Sequence, residues 1–222
     1  MSTSAPTRKV TLSRSAGIGL LIYSLATSAA FLFSGSPGGD YSDGQVAAYL
    51  AGAHGPTAFA LWYVAALGAL ALVLFAAGLR RLPATGAPLA ALATIGAAVS
   101  VTGAWLSGGV AVAMAEGGDA VRTGIPHPAA YVLTEVGNLM AVCGPALCVG
   151  VIALVLAVRG GVSVWLRVSC AIGGVCGILA PYFYTYFIYT LFTLVLGVAL
   201  VAARRVKGAD DEVEKKLLRS AS

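Results

Sequence analysis

Few side chains in this sequence could carry out chemistry, and the most suggestive group surrounds Glu135. Tyr131 stands four residues before this glutamate and Asn138 three residues after it, so a helix would place all three on one face. A carboxylic acid on such a face could bind a polar ligand or donate a proton to it. This stretch is therefore the first candidate site.

Further polar residues occur in the two polar segments that precede this stretch, and two more candidates come from an aromatic segment near residue 185. One interpretation is that the polar ones meet in one pocket at a mouth of the protein. The ligand-binding candidates are His54, Glu116, Asp119, Arg122, His127, Tyr131, Glu135, Asn138, Tyr182 and Tyr186. In the alternative, Glu116 and Glu135 lie among lipid headgroups and pair with Arg122.

A metal site would need three or four converging ligands. The two histidines of the chain with Glu116 or Glu135 would suffice chemically, but nothing in their spacing demands it. Both histidines lie outside the apolar segments, whereas ligands of a bis-histidine haem would be expected within them. We predict no metal and no other cofactor. The sequence also lacks a Walker loop, GxSxG and HExxH, so it indicates no catalytic residue.

Aromatic residues crowd the segment 182–189. Amphipathic rings favour the level of the lipid headgroups, so this segment is interpreted as an interfacial belt. In the alternative, the rings form a wall that binds a flat or cationic molecule. The members are Tyr182, Phe183, Tyr184, Tyr186, Phe187 and Tyr189.

The composition indicates what holds these residues in place. Hydrophobic residues make up 59% of the 222 residues, charged residues 10%, and the mean hydropathy is +0.88. Soluble proteins carry about 25% charged residues. We therefore predict an all-α polytopic membrane protein, one helix bundle for which the bilayer is the solvent.

Six apolar stretches are long enough to be transmembrane helices. A signal peptide is the alternative for the first, but five more stretches follow it. Pro145 predicts a kink in the fourth stretch, and Pro181 divides the last two. A capping box at Ser42 predicts a short amphipathic helix over 42–53. The six stretches cover about 16–34, 57–79, 88–115, 129–158, 162–180 and 184–203.

The basic residues predict the orientation. With an even number of spans both ends of the chain lie on one side, and every Lys and Arg except Arg122 falls on that side. The positive-inside rule makes it the cytoplasm. We thus predict a multi-pass plasma-membrane protein with a cytoplasmic N-terminal segment (1–15), a bundle (16–205) and a charged cytoplasmic tail (206–222). The net charge of +5 is interpreted as a topology signal and not as a nucleic-acid site.

Small residues inside the apolar stretches predict close helix packing. Gly173 and Gly177 form a GxxxG motif, with Gly174 on the same surface. The cysteines lie in the fourth and fifth apolar stretches and do not have the spacing of a metal or redox motif. We interpret them as small packing residues, and a disulfide between these two stretches is left open. The cysteines are Cys143, Cys148, Cys170 and Cys176.

The order of several motifs is familiar. DGQVAAYLAGAHG follows the first apolar stretch, GLRRL ends the second, and WLRVSCAIGGVCGILAPYFYTYFIYTLFTLVLGVALVAARR closes the bundle. In this order the chain resembles small six-span integral membrane proteins of unknown function in high-GC Gram-positive bacteria. The resemblance implies a fold and a membrane location, and no site residues.

Three functions remain open on these grounds. The leading expectation is a non-enzymatic protein that binds a lipid or other hydrophobic small molecule in the outer half of the bundle, or supports an envelope partner. The second is an intramembrane enzyme acting on a lipid or isoprenoid, with Glu135 or Glu116 as proton donor. The third is a small transporter subunit, although no charged residue lies at mid-bilayer. Membrane lipids are the expected partners, and a homodimer is left open.

Overall fold

The computed structural model describes residues 13–33, 44–45, 48, 55–82, 85–159 and 163–220. Every element in these ranges is an α-helix, and no strand occurs within them. The prediction of an all-α protein is confirmed. The helices are α1 (Arg14–Phe33), α2 (Gly55–Leu70), α3 (Leu72–Leu79), α4 (Gly86–Glu116), α5 (Gly118–Gly124), α6 (His127–Arg159), α7 (Val164–Ile178) and α8 (Phe183–Ser220).

Within the described residues, several helices are apolar and long enough to cross a bilayer. Large apolar side chains also cover the outside of the bundle, as Leu25 (61% exposed) and Leu191 (63%) illustrate. Helices that are apolar on all sides are typical of a lipid environment, so this is a membrane protein. The four membrane-length stretches are Phe59–Leu79, Gly86–Met114, Pro128–Arg159 and Tyr184–Ala202, and Val164–Ile178 is a shorter apolar helix.

Neighbours in the bundle follow chain order. α1 packs against the α2–α3 rod, that rod against α4, α4 against α6, α6 against α7, and α7 against α8. α8 then returns to α1, which closes a ring of helices. Large side chains fill its interior, and Leu20, Tyr23, Phe75, Ile152 and Tyr189 are each less than 2% exposed.

Serine side chains define two of the helix starts. The Ser13 hydroxyl accepts a hydrogen bond from the Ala16 N–H at 3.4 Å, and the Ser163 hydroxyl accepts one from the Leu166 N–H at 3.4 Å. Each thereby satisfies a backbone donor that the first helical turn leaves free. Between α7 and α8, Pro181 divides the apolar sequence as predicted, and the Thr185 hydroxyl donates to the carbonyl of Leu179.

Pro145 lies inside α6, and that helix continues through it. Proline has no N–H, so the carbonyl of Ala141, four residues earlier, has no donor within the helix. The Ser100 hydroxyl of α4 donates to that carbonyl at 2.7 Å. A neighbouring helix therefore replaces the hydrogen bond that the proline removes. The Ala141 carbonyl thus has a hydrogen-bond donor without the sharp kink in α6 that Pro145 alone would predict.

Glycines set the closest helix contacts. A Cβ added to Gly103 would lie 2.3 Å from the Ala141 nitrogen and 2.5 Å from the Gly137 carbonyl oxygen. Only a residue without a side chain permits α4 and α6 to approach this closely. The GxxxG motif of α7, predicted to form one surface, serves two neighbours: Gly177 contacts α6, whereas Gly173 receives the Phe192 ring of α8.

Two segments differ from expectation, and a third lies mostly outside the described residues. The predicted loop 116–128 contains α5, because Gly118 takes a left-handed backbone conformation (φ 61°) that lets the chain turn and start a new helix. The last helix continues to Ser220, since no proline interrupts the helix-forming residues of the tail. Most of the predicted surface helix over 42–53 lies outside the described residues; of that range, only 44–45 and 48 are described, and they are helical.

Candidate functional site

A short chain of hydrogen bonds joins α4 to α6 near the predicted site. The Ser107 hydroxyl donates to the Thr134 carbonyl at 2.8 Å and lies 3.1 Å from Asn138 Oδ1, so two acceptors share its proton. The Asn138 amide donates to Glu135 Oε2 at 3.2 Å. We call Ser107, Asn138 and Glu135 the polar latch. The Asn138 and Glu135 side chains of this latch are only partly buried.

Close helix packing brings the latch together. A Cβ on Gly137 would lie 2.4 Å from Ser107 Oγ, so the glycine makes room for the hydroxyl. Glu135 and Asn138, which the spacing predicts to share a helix face, are joined by this hydrogen bond. Ser107 was missed, although a signal existed: Ser100, Gly103 and Ser107 recur at helical spacing, which is typical of a small, polar helix contact.

The remaining polar candidates do not join the latch in the part of the chain that is described. Glu116 is exposed at the end of α4, Asp119 is exposed on α5, and Tyr131 is half-buried on α6. Asp119 therefore lies on a helix and not in the expected loop. Among described residues, no three His, Cys, Asp or Glu side chains are grouped to hold a metal ion. His54 and the side chains of Arg122 and His127 lie outside the described residues.

The aromatic segment 182–189, interpreted as an interfacial belt or alternatively as a ligand wall, is divided between the surface and the core. Tyr182 is 70% exposed, whereas Tyr186 is 5% exposed and packs inside the ring. A second aromatic group joins α2 to α4, with the Trp105 ring centroid 6.0 Å from that of Tyr63 and 6.3 Å from that of Phe59. Its partners come from different helices, so sequence spacing alone could not reveal it.

A groove of about 220 Å³ separates α7 from α8. These two helices contact each other less extensively than the other neighbours in the ring. All of the lining side chains are apolar except for the Ser169 hydroxyl and the Trp165 indole N–H. The lining residues are Trp165, Leu166, Ser169, Ile172 and Gly173 of α7, and Ile188, Leu191, Phe192, Val195 and Leu196 of α8.

The size and lining of this groove limit what it can bind. Sites for drug-sized molecules usually occupy about 300–1,000 Å³, so the groove suits a narrower object such as a hydrocarbon chain.

The four cysteines are free, which agrees with their interpretation as packing residues. No protein-family model, curated protein or solved structure matches this chain.

Proposed function

We propose that this chain is a plasma-membrane protein that binds a lipid by holding one of its hydrocarbon chains between α7 and α8. The groove there supports the proposal for two reasons. Its lining is apolar, and it lies on the outside of helices that are themselves apolar. In the bilayer the hydrocarbon chain exchanges one apolar environment for another, so van der Waals contact with a closely fitting lining is what favours binding. Trp165 and Ser169 supply donors for an ester or headgroup oxygen.

We propose further that the bundle crosses the membrane six times with both ends of the chain in the cytoplasm. α1 has 20 residues, about 30 Å at 1.5 Å per residue, which matches a hydrocarbon core. α7 is shorter but packs between α6 and α8 in the ring. The basic residues support the orientation, since only Arg122 would face outward.

In this orientation the groove lies in the inner half of the bundle, and not in the outer half that the sequence suggested.

Thiol labelling tests this topology. In a variant with the four cysteines changed to alanine, Thr123→Cys should react with a membrane-impermeant maleimide on intact cells, because Thr123 is exposed on α5. Ser220→Cys in the same background should react only after lysis. Labelling of the Ser220→Cys variant on intact cells would contradict the proposed orientation.

Tryptophan fluorescence tests the groove. In a variant that retains Trp165 alone (Trp62→Phe, Trp105→Phe), brominated-acyl phosphatidylcholine added to protein in a non-quenching detergent should quench the fluorescence along a saturable curve. Bromine quenches at short range, and Trp165 lines the groove. Filling the groove by Ser169→Phe should abolish saturation.

The matched control retains Trp105 alone (Trp62→Phe, Trp165→Phe). Trp105 and Trp165 are 53% and 56% exposed, so nonspecific contact with lipid should quench them similarly. We expect the Trp105 signal to fall in proportion to the lipid fraction, without saturation. Identical curves for the two variants would show that the groove holds no lipid in preference to the rest of the surface.

A further inference from the structure

The groove between α7 and α8 is polar at one end only. Its two polar lining groups, the Trp165 indole N–H and the Ser169 hydroxyl, lie in the first turns of α7. Deeper in that helix the lining residues are Ile172 and Gly173, and on α8 every lining side chain is apolar. The polar groups therefore indicate where the head of a bound lipid lies. From Trp165 to Gly173 the lining extends about 12 Å, at 1.5 Å per residue.

The polar end of the groove is also the end of the bundle that carries the arginines. α7 begins just after α6 ends at Arg159, and Gly197, next to the groove-lining Leu196, meets Gly17 near the start of α1. Among the side chains that the structure describes, every arginine is exposed at this end: Arg14, Arg80, Arg81, Arg159 and Arg167. The acidic side chains described, Glu116, Asp119 and Glu135, lie toward the opposite end. The charge at the polar end therefore favours an anionic partner.

Arg167 lies within α7 and not in the turn before it. An ionised side chain inside an apolar membrane helix is unfavourable, and a residue that served only to orient the protein could lie in that turn without this cost. Arg167 is two residues from both Trp165 and Ser169, so it lies on the other flank of the helix. Its charge therefore acts on a headgroup at the start of α7, and not on a chain in the groove. Arginine forms paired hydrogen bonds with phosphate oxygens.

We propose that the lipid in this groove is an anionic phospholipid, with its phosphate beside the start of α7 and its chain directed from Trp165 toward Gly173. Attraction between charges extends over about 8–10 Å at physiological salt. Arg159 and Arg167 therefore favour an anionic headgroup there without lining the groove themselves. This inference rests on the proposed function and adds the charge of the headgroup and the direction of the chain.

Headgroup preference tests the charge. In the variant that retains Trp165 alone, phosphatidylglycerol and phosphatidylcholine with the same brominated chains are compared in an uncharged, non-quenching detergent. Phosphatidylglycerol should half-saturate the quenching at about a tenfold lower lipid fraction, because each arginine near an anionic headgroup contributes up to about fivefold. Arg159→Gln/Arg167→Gln should remove most of this preference and leave binding of phosphatidylcholine unchanged.

The matched control is Arg80→Gln/Arg81→Gln, which removes the same charge from the end of α3, across the ring from α7 and α8. It should retain the preference, and thermal unfolding checks that both variants fold. Equal half-saturation by the two lipids, or equal losses in the two variants, would overturn the anionic headgroup while the groove stands. If neither lipid saturates the quenching, the groove fails as well. Sodium phosphate should compete no better than sodium chloride of equal ionic strength, and stronger competition would identify free phosphate as the ligand instead.

The position of the bromine atoms tests the direction of the chain. At saturation, phosphatidylglycerol brominated near the glycerol should quench Trp165 more strongly than the same lipid brominated near the methyl end of its chain, because Trp165 lies at the headgroup end of the groove. The opposite order would show that the chain enters from the other end, and would overturn the proposal.

Discussion

Replacing Gly103 by alanine is expected to destabilise the bundle by about 3 kcal/mol, although the change adds a single methyl group. The new Cβ would lie 2.3 Å from the Ala141 nitrogen and 2.5 Å from the Gly137 oxygen. Both are backbone atoms, which cannot rotate away as a side chain can. α4 and α6 must therefore separate, and the contact of Ser107 with Asn138 should be lost with them.

Gly109→Ala is the matched control on the same helix. A Cβ at Gly109 would meet nothing within 4 Å, and alanine favours a helix over glycine by about 1 kcal/mol. This variant should be unchanged or slightly more stable. Unfolding of the two purified variants by sodium dodecyl sulfate, started from a mild detergent, measures the difference. Equal stabilities for the two would mean that α4 and α6 do not approach as closely as the structure shows.

Ser100→Ala is expected to cost about 1–3 kcal/mol of unfolding free energy, the penalty for leaving a buried acceptor unpaired. The change removes the hydroxyl that donates to the Ala141 carbonyl at 2.7 Å. No N–H from Pro145 can take its place. Thr102→Ala should have little effect, because the exposed Thr102 hydroxyl donates to the carbonyl of Ala98 within its own helix.

A double-mutant cycle separates this hydrogen bond from other losses. Pro145→Ala restores an N–H that can bond to the Ala141 carbonyl, so Ser100→Ala should cost less in that background. The expected coupling is about 1–2 kcal/mol, measured from detergent-induced unfolding of the four proteins. Strictly additive effects would show that Ser100 does not compensate for the proline.

The helices themselves could be predicted because each rests on a local pattern. The third apolar stretch is predicted at 88–115, and α4 runs from Gly86 to Glu116. The two agree because polar residues on both sides of a long apolar sequence leave little freedom in where the helix begins and ends. The contact of Glu135 with Asn138 was equally accessible, because helix geometry brings residues three apart together.

The rest of the candidate site depends on how the helices pack against one another. Ser107 meets Asn138 only through the register of α4 against α6, which no spacing within either helix reveals. Tyr182 and Tyr186 were grouped because aromatic residues surround both, yet packing against α1 and α6 decides which rings turn inward. The groove arises where α7 and α8 pack against each other less extensively than the other neighbours in the ring, and the apolar sequences of those helices contain no sign of it.

The return of α8 to α1 places a constraint on biosynthesis. The Ser24 hydroxyl donates to Thr193 Oγ1 at 2.7 Å across 169 residues of chain, and Gly17 meets Gly197 in the same interface. Contacts between such distant residues form late, because they require closure of a long loop. While the ribosome is still translating the middle helices, the face of α1 that α8 later covers has only lipid or the translocon against it. Completion of the bundle must therefore wait until the segment carrying Thr193 has entered the bilayer.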